Sequence, residues 1–119
     1  MASGIQATWE AGLSGPGMPP DPEAADSFKG FVFYRDGWMR AWDFDDESTS
    51  HRLGDPDMPN GAYMIRVQGF RDGVYSLPVD EEYVHTTGTD PIDPVFGASP
   101  PAGNASVATP TDLVVTEAP

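Results

Sequence analysis

Asp36-Gly37, set between two aromatic-rich runs, constrains this chain more than any other feature. Residues 31–44 read Phe-Val-Phe-Tyr-Arg-Asp-Gly-Trp-Met-Arg-Ala-Trp-Asp-Phe. Asp-Gly tolerates the positive φ that a type I′ turn needs at both central positions, so the stretch is predicted to be a tight β-hairpin. Seven of the chain's 13 aromatic residues fall between Phe28 and Phe44. With Asp36-Gly37 as a two-residue loop, Arg35 pairs with Trp38, Phe33 with Arg40 and Phe31 with Trp42, and those six side chains share one face. Val32, Tyr34, Met39 and Ala41 form the other. Neither face is polar, whereas an antiparallel sheet commonly leaves one face to water. Both faces therefore need cover.

The theme recurs downstream. Phe70-Arg71-Asp72-Gly73 repeats the aromatic-Arg-Asp-Gly turn of Tyr34-Arg35-Asp36-Gly37. Residues 62–71 and 74–79 read as its two strands, and 82–87 as a further strand with Tyr83 and His85 on one side and Val84 on the other. Pro78 has no N–H, so its strand lies at an edge or ends there. Residues 46–61, with two prolines, two glycines and polar clusters, read as a long loop. The fold class predicted is all-β: a small antiparallel sheet or partial barrel built from two hairpins, with extended N- and C-terminal arms.

The division is 1–27 as an N-terminal arm, 28–87 as the β-domain and 88–119 as a C-terminal arm. Glycine and proline exclude regular structure over most of 1–27, although Ile5, Trp9 and Leu13 lie at the spacing of one short helical turn. Trp9 is either a staple onto the domain's own core or an anchor in a partner. The C-terminal arm holds six prolines in 32 residues and cannot fold alone, yet its β-prone patch around Leu113, Val114 and Val115 suits strand addition to a neighbouring chain's exposed edge.

Charge follows the same division. Net charge is −13, but residues 29–71 contain all six basic residues against seven acids, so the flanks carry nearly all of the excess. Such a chain is repelled by nucleic acid, whose binding relies on Lys and Arg at the phosphates. No apolar run approaches the ~20 residues of a membrane span. No basic segment followed by an apolar one opens the chain, so a protein made and kept in a cytoplasm is expected. There is no cysteine.

No motif points to catalysis, and no catalytic residue, metal site or cofactor is expected. Asp43, Asp45, Asp46 and Glu47 are the densest acids, but Ser48 and Gly54 stand where a calcium loop needs Gly and Glu. His51 and His85 form no metal-ligand spacing. The glycines of 12–17 lack the Lys-Ser/Thr and the helix of a phosphate loop. What remains is the face of Phe31, Phe33, Arg35, Trp38, Arg40 and Trp42. It is core, with Arg stems packed along rings, or a protein-binding surface, since interface centres favour Trp, Phe and Arg, or a platform that stacks bases or sugars, which the acidic balance disfavours.

A β-domain of about 60 residues without disulfides is marginal alone, and docking on a larger body is a common stabiliser. The expectation is a non-enzymatic structural accessory protein of a large assembly, of the virus-capsid decoration or cement kind. It would dock on and bridge the subunits of a homomeric shell or filament, with self-association as a variant, and reside in a virion. The partner-binding set is Trp9, Phe31, Phe33, Arg35, Trp38, Arg40, Trp42, Leu113, Val114 and Val115. The alternative is a monomeric ligand- or protein-binding β module that uses the same aromatic hairpin.

Overall fold

The computed structural model describes residues 4–12, 23–54 and 58–118. Alternating burial makes strands of β1 (Ile5–Glu10), β2 (Ser27–Tyr34), β3 (Gly37–Asp46), β4 (Ser50–Leu53), β5 (Gly61–Arg71), β6 (Val74–Tyr75), β7 (Val79–His85) and β8 (Thr111–Glu117). They form two antiparallel sheets. The larger runs β3-β2-β5 and ends in β6 and β7, which share the far side of β5; the smaller runs β4-β1-β8. The all-β, hairpin-based fold expected from the sequence is the one observed: a curled half-barrel sheet faced by a smaller sheet.

The core lies between them. Val32 and Tyr34 of β2, Met39 of β3 and Tyr63, Ile65 and Val67 of β5 point inward, against Ile5, Ala7 and Trp9 of β1 and Leu113 of β8. Tyr34 and Tyr63 stack at 4.6 Å, and their hydroxyls donate to the Asn60 and Pro59 carbonyls at 2.7 and 2.6 Å. Burial and the neighbouring Tyr34 push the Tyr63 hydroxyl pKa well above its ordinary value. Phe44 lies over Gly30, which leaves no room for a Cβ, and stacks on Trp9 at 5.6 Å and on His51 at 4.6 Å.

The terminal segments close this core. The helical turn suggested for Ile5 and Trp9 is a strand instead; Leu13 lies outside the described residues. β1 pairs with β4 on one side and β8 on the other, and ladder bonds to two neighbours outweigh the weak local preference of six residues. Trp9 is 3% exposed. Residues 46–61 are likewise not all loop, because Ser50–Leu53 pairs with β1. β8 adds to this chain's own β1. Between β7 and β8, residues 89–110 run over the domain: Thr89 bridges Pro59, Phe96 bridges Met39 on the free edge of β3, Asn104 bridges Ser76 and Val107 bridges Glu23.

The first hairpin departs from the expected register. Tyr34 faces Gly37, Phe33 faces Trp38 and Val32 faces Met39, so the turn residues are Arg35 and Asp36, with Arg35 at φ 61°. Farther on, Gly30 faces Phe44, so Phe31 stands opposite four residues of β3. Tertiary packing decides this. The slip brings Phe33 and Trp38 into edge contact at 5.2 Å, and bare Gly37 receives the Phe96 ring. The second turn follows its chemistry: Arg71 faces Val74 across Asp72 and Gly73, at φ 49° and 80°.

Two outcomes follow for the closing sheet. Trp9→Ala is expected to cost about 3–5 kcal/mol of unfolding free energy, read from urea titration. Glu10 and Asp112 meet across a bulge in the β1–β8 ladder, and the hydrogen bond between their carboxyls, then their repulsion, raises the Glu10 pKa. A carboxyl whose folded pKa is raised favours folding below its unfolded value, and that contribution is lost as pH rises through the folded pKa. Glu10→Gln is therefore expected to raise Tm above that of the parent protein at pH 7 and to give no such gain at pH 3.

Candidate functional site: an aromatic and basic sheet face

The strand period of two sends alternate residues of the larger sheet outward, away from the core. From β3 and β2 come Trp38, Arg40, Lys29, Phe31 and Phe33; from β5, Ala62, Met64, Arg66, Gln68 and Phe70; from β6 and β7, Tyr75, Asp80, Glu82 and Val84. Phe31, Phe33, Trp38, Met64, Phe70 and Tyr75 are all half-buried there. Half-burial of so many large apolar groups on the side remote from the core is the notable property of this face.

Its polar groups hold the rings in place. The Arg66 guanidinium lies 4.8 Å from the Trp38 ring and donates two bonds, of 2.7 and 2.9 Å, to the Asp80 carboxylate across the strand pair. An exposed ion pair contributes about 0–1 kcal/mol alone. The bidentate geometry adds orientation, keeping the guanidinium over the indole. Lys29 sits 4.6 Å from the Phe70 ring centre and pairs with Asp45. Phe70 and Phe31 both contact Tyr75.

At one end of the face Phe33, Arg35, Ala62, Met64, Glu82 and Val84 line a groove of about 300 Å³. Val84, at 66% exposure, stands on its rim. Arg35 donates to the Ile92 carbonyl at 2.8 Å and lies 3.5 Å from Asp93, so the head that could close the groove is drawn to the C-terminal segment. At the other end Gln68 is fully buried, its amide donating to the Ser76 and Pro101 carbonyls at 2.8 and 3.1 Å. The segment around Pro101 thus covers that end and leaves the groove open.

The residues singled out from the sequence divide. Phe31, Phe33, Trp38 and Arg40 lie together on this face, with Arg35 at the hairpin tip. Trp42 does not join them. The irregular stretch of β3 turns it to the core side, against Tyr34 and Tyr63 at 6.3 and 6.2 Å. Trp9 and Leu113 are buried in the core, and Val115 packs on that core half-buried. Only Val114 of the terminal patch faces outward, at 51% exposure. Sequence reading missed Met64, Arg66, Phe70, Tyr75 and Val84. Their parity against Tyr63, Ile65 and Val67 marks the outward side of β5, but nothing local says that β5 lies beside β2.

Among the described residues no three His, Asp or Glu side chains converge as metal ligands, and no helix is long and apolar enough to cross a membrane. Asp46 accepts from the Ser48 amide at 2.8 Å and lies 3.5 Å from His51, and the Ser48 bonds, more than His51, lower its pKa. Asp43 is shifted the other way by burial. Tyr83 approaches His85 at 3.1 Å, and burial, then the Glu117 charge, raises its pKa. Comparison with protein-family models, curated proteins and solved structures finds no match.

The two hairpin tryptophans are expected to separate in stability measurements. Trp42→Ala removes a ring packed on the core tyrosines and should cost about 3 kcal/mol, the low end for a buried aromatic. Trp38→Ala, on the outer face, should cost about half of that. Urea midpoints of the two variants check the order.

Proposed function

We propose that this protein is a non-enzymatic structural accessory protein of a large assembly, of the capsid decoration or cement kind, resident in the virion. It docks on the subunits of a homomeric shell through the outer face of its larger sheet. One observation carries the reading: Phe31, Phe33, Trp38 and Met64 are gathered half-buried on a face that the chain's own core does not use. Large aromatics with Arg at the centre and charged groups at the rim are the composition of protein interfaces. The acidic balance of −13 favours a protein surface over nucleic acid.

The mechanism is added buried area. Trp38 and Phe33 supply anchors that the Arg66–Asp80 pair orients beforehand, so little is lost in ordering them on contact. The test is co-sedimentation with assembled shells. The parent protein should pellet at a fixed ratio to the shell subunit. Trp38→Ala combined with Val84→Asp should lower the bound fraction about tenfold, a loss of about 1.4 kcal/mol, while keeping the parent's far-UV spectrum. A double variant that pellets like the parent sinks the proposal.

The groove beneath Val84 supports a second reading, a monomeric ligand-binding module. A volume of about 300 Å³ with an arginine and a glutamate at its edge suits a small ligand or one inserted side chain. This reading expects a small molecule to change Trp38 fluorescence in the isolated protein and to leave a Trp38→Phe variant silent.

A further inference from the structure

We infer that residues 92–118 are an exchangeable strap: they dock on the chain's own residues 4–85 in the dilute protein and on those of a second copy in concentrated or assembled protein. This goes beyond the docking proposed above and does not depend on it, since the host of the strap is another copy of this chain rather than a shell subunit.

The argument starts from where the segment finds its partners. Apart from a local turn at 104–107, its backbone bonds go to earlier chain. Val95 accepts from the Arg40 amide at 3.2 Å, Gly97 donates to the Trp38 carbonyl at 2.7 Å, Asn104 donates to Tyr75, and Ala108 donates to Glu23. β8 then pairs along β1 from Thr111 to Glu117. The segment is a guest throughout, and every one of these sites is present on any other copy. Exchange therefore conserves the bonds, and hinge strain and local concentration set which host is used.

The hinge is short and identifiable. Thr89 is held by the Met58 carbonyl and the Asn60 amide, and Ile92 by Arg35, so Asp90-Pro91 spans the interval and both residues are exposed. Prolines 94, 100, 101 and 110 narrow the released conformations, so little extra ordering accompanies a change of host.

The chain has no cysteine, so introduced thiols report cleanly. Thr8 and Val114 are cross-strand partners on the outward side of the β1–β8 ladder, within disulfide reach. Thr8→Cys and Val114→Cys are made as separate proteins, mixed and oxidised. Exchange gives a Thr8→Cys/Val114→Cys heterodimer whose yield rises about tenfold per tenfold increase in concentration while dimers are rare. It should exceed the homodimers that each variant forms alone. A heterodimer no more abundant than those homodimers at any concentration overturns the inference. The two substitutions in one chain, oxidised when dilute, should give a disulfide-closed monomer, which checks that the ladder is intact. Deleting Asp90-Pro91 should prevent docking on the same domain and turn the protein into dimers or larger species by sedimentation velocity. A deleted variant that stays monomeric with the parent's Tm also overturns it.

Discussion

The pairing of β1 with β8 is the interaction on which the rest depends. The larger sheet alone would leave the inner sides of β2 and β5 facing water, Val32, Tyr34, Tyr63, Ile65 and Val67 among them. A sheet is stable when such a face packs on a second layer. Here the two ends of the chain provide most of that layer. Because β1 must meet β8 across nearly the whole sequence, most stabilising contacts are long-range, and the core is completed only when both ends arrive. Trp9 shows the coupling at one residue: its ring stacks on Phe44 of β3, and its strand bonds to β8 and β4.

Closing the core from this side decides what the other side becomes. Once Val32, Tyr34 and Met39 are claimed by the core, alternation sends Phe33, Trp38 and Phe31 outward. Among the described residues they are covered by one another, by Tyr75 beside Phe31 and by Arg66 held flat through Asp80, while the strap lies at one end over Gln68. The open end of this outer face coincides with the groove beside Val84. The strap that covers the opposite end takes its backbone partners from earlier chain and ends in β8, the strand that closes the core.

Much of this was legible in residue order. Asp72-Gly73 formed the predicted turn with both residues at positive φ, because nothing distant competes at that tip. Tyr83 and His85 fell on one side and Val84 on the other, as period two requires. Asp36-Gly37 failed by one position, and the register observed sets Phe33 against Trp38 and Phe96 on Gly37. Trp42 left the aromatic face too. Phe44 must reach the bare surface of Gly30 between Trp9 and His51, and the stretch of β3 before it becomes irregular to let it do so.

The sequence by itself determined the class of the molecule: hairpins from turn chemistry, strands from alternation, acidic ends around a charge-balanced centre, and an aromatic stretch needing cover on both sides. Those are local properties, set within a few residues by φ preferences, side-chain size and charge. Tertiary structure alone decided which side of the hairpin is core, that Ile5–Glu10 is a strand, that β8 lies on this chain's own β1, and that Met64, Arg66 and Tyr75 join Trp38 on one face. Each of those depends on which distant strand lies alongside. Residues 5–10 prefer a strand only weakly until β4 and β8 supply hydrogen bonds on both edges, and no neighbouring residue carries that information.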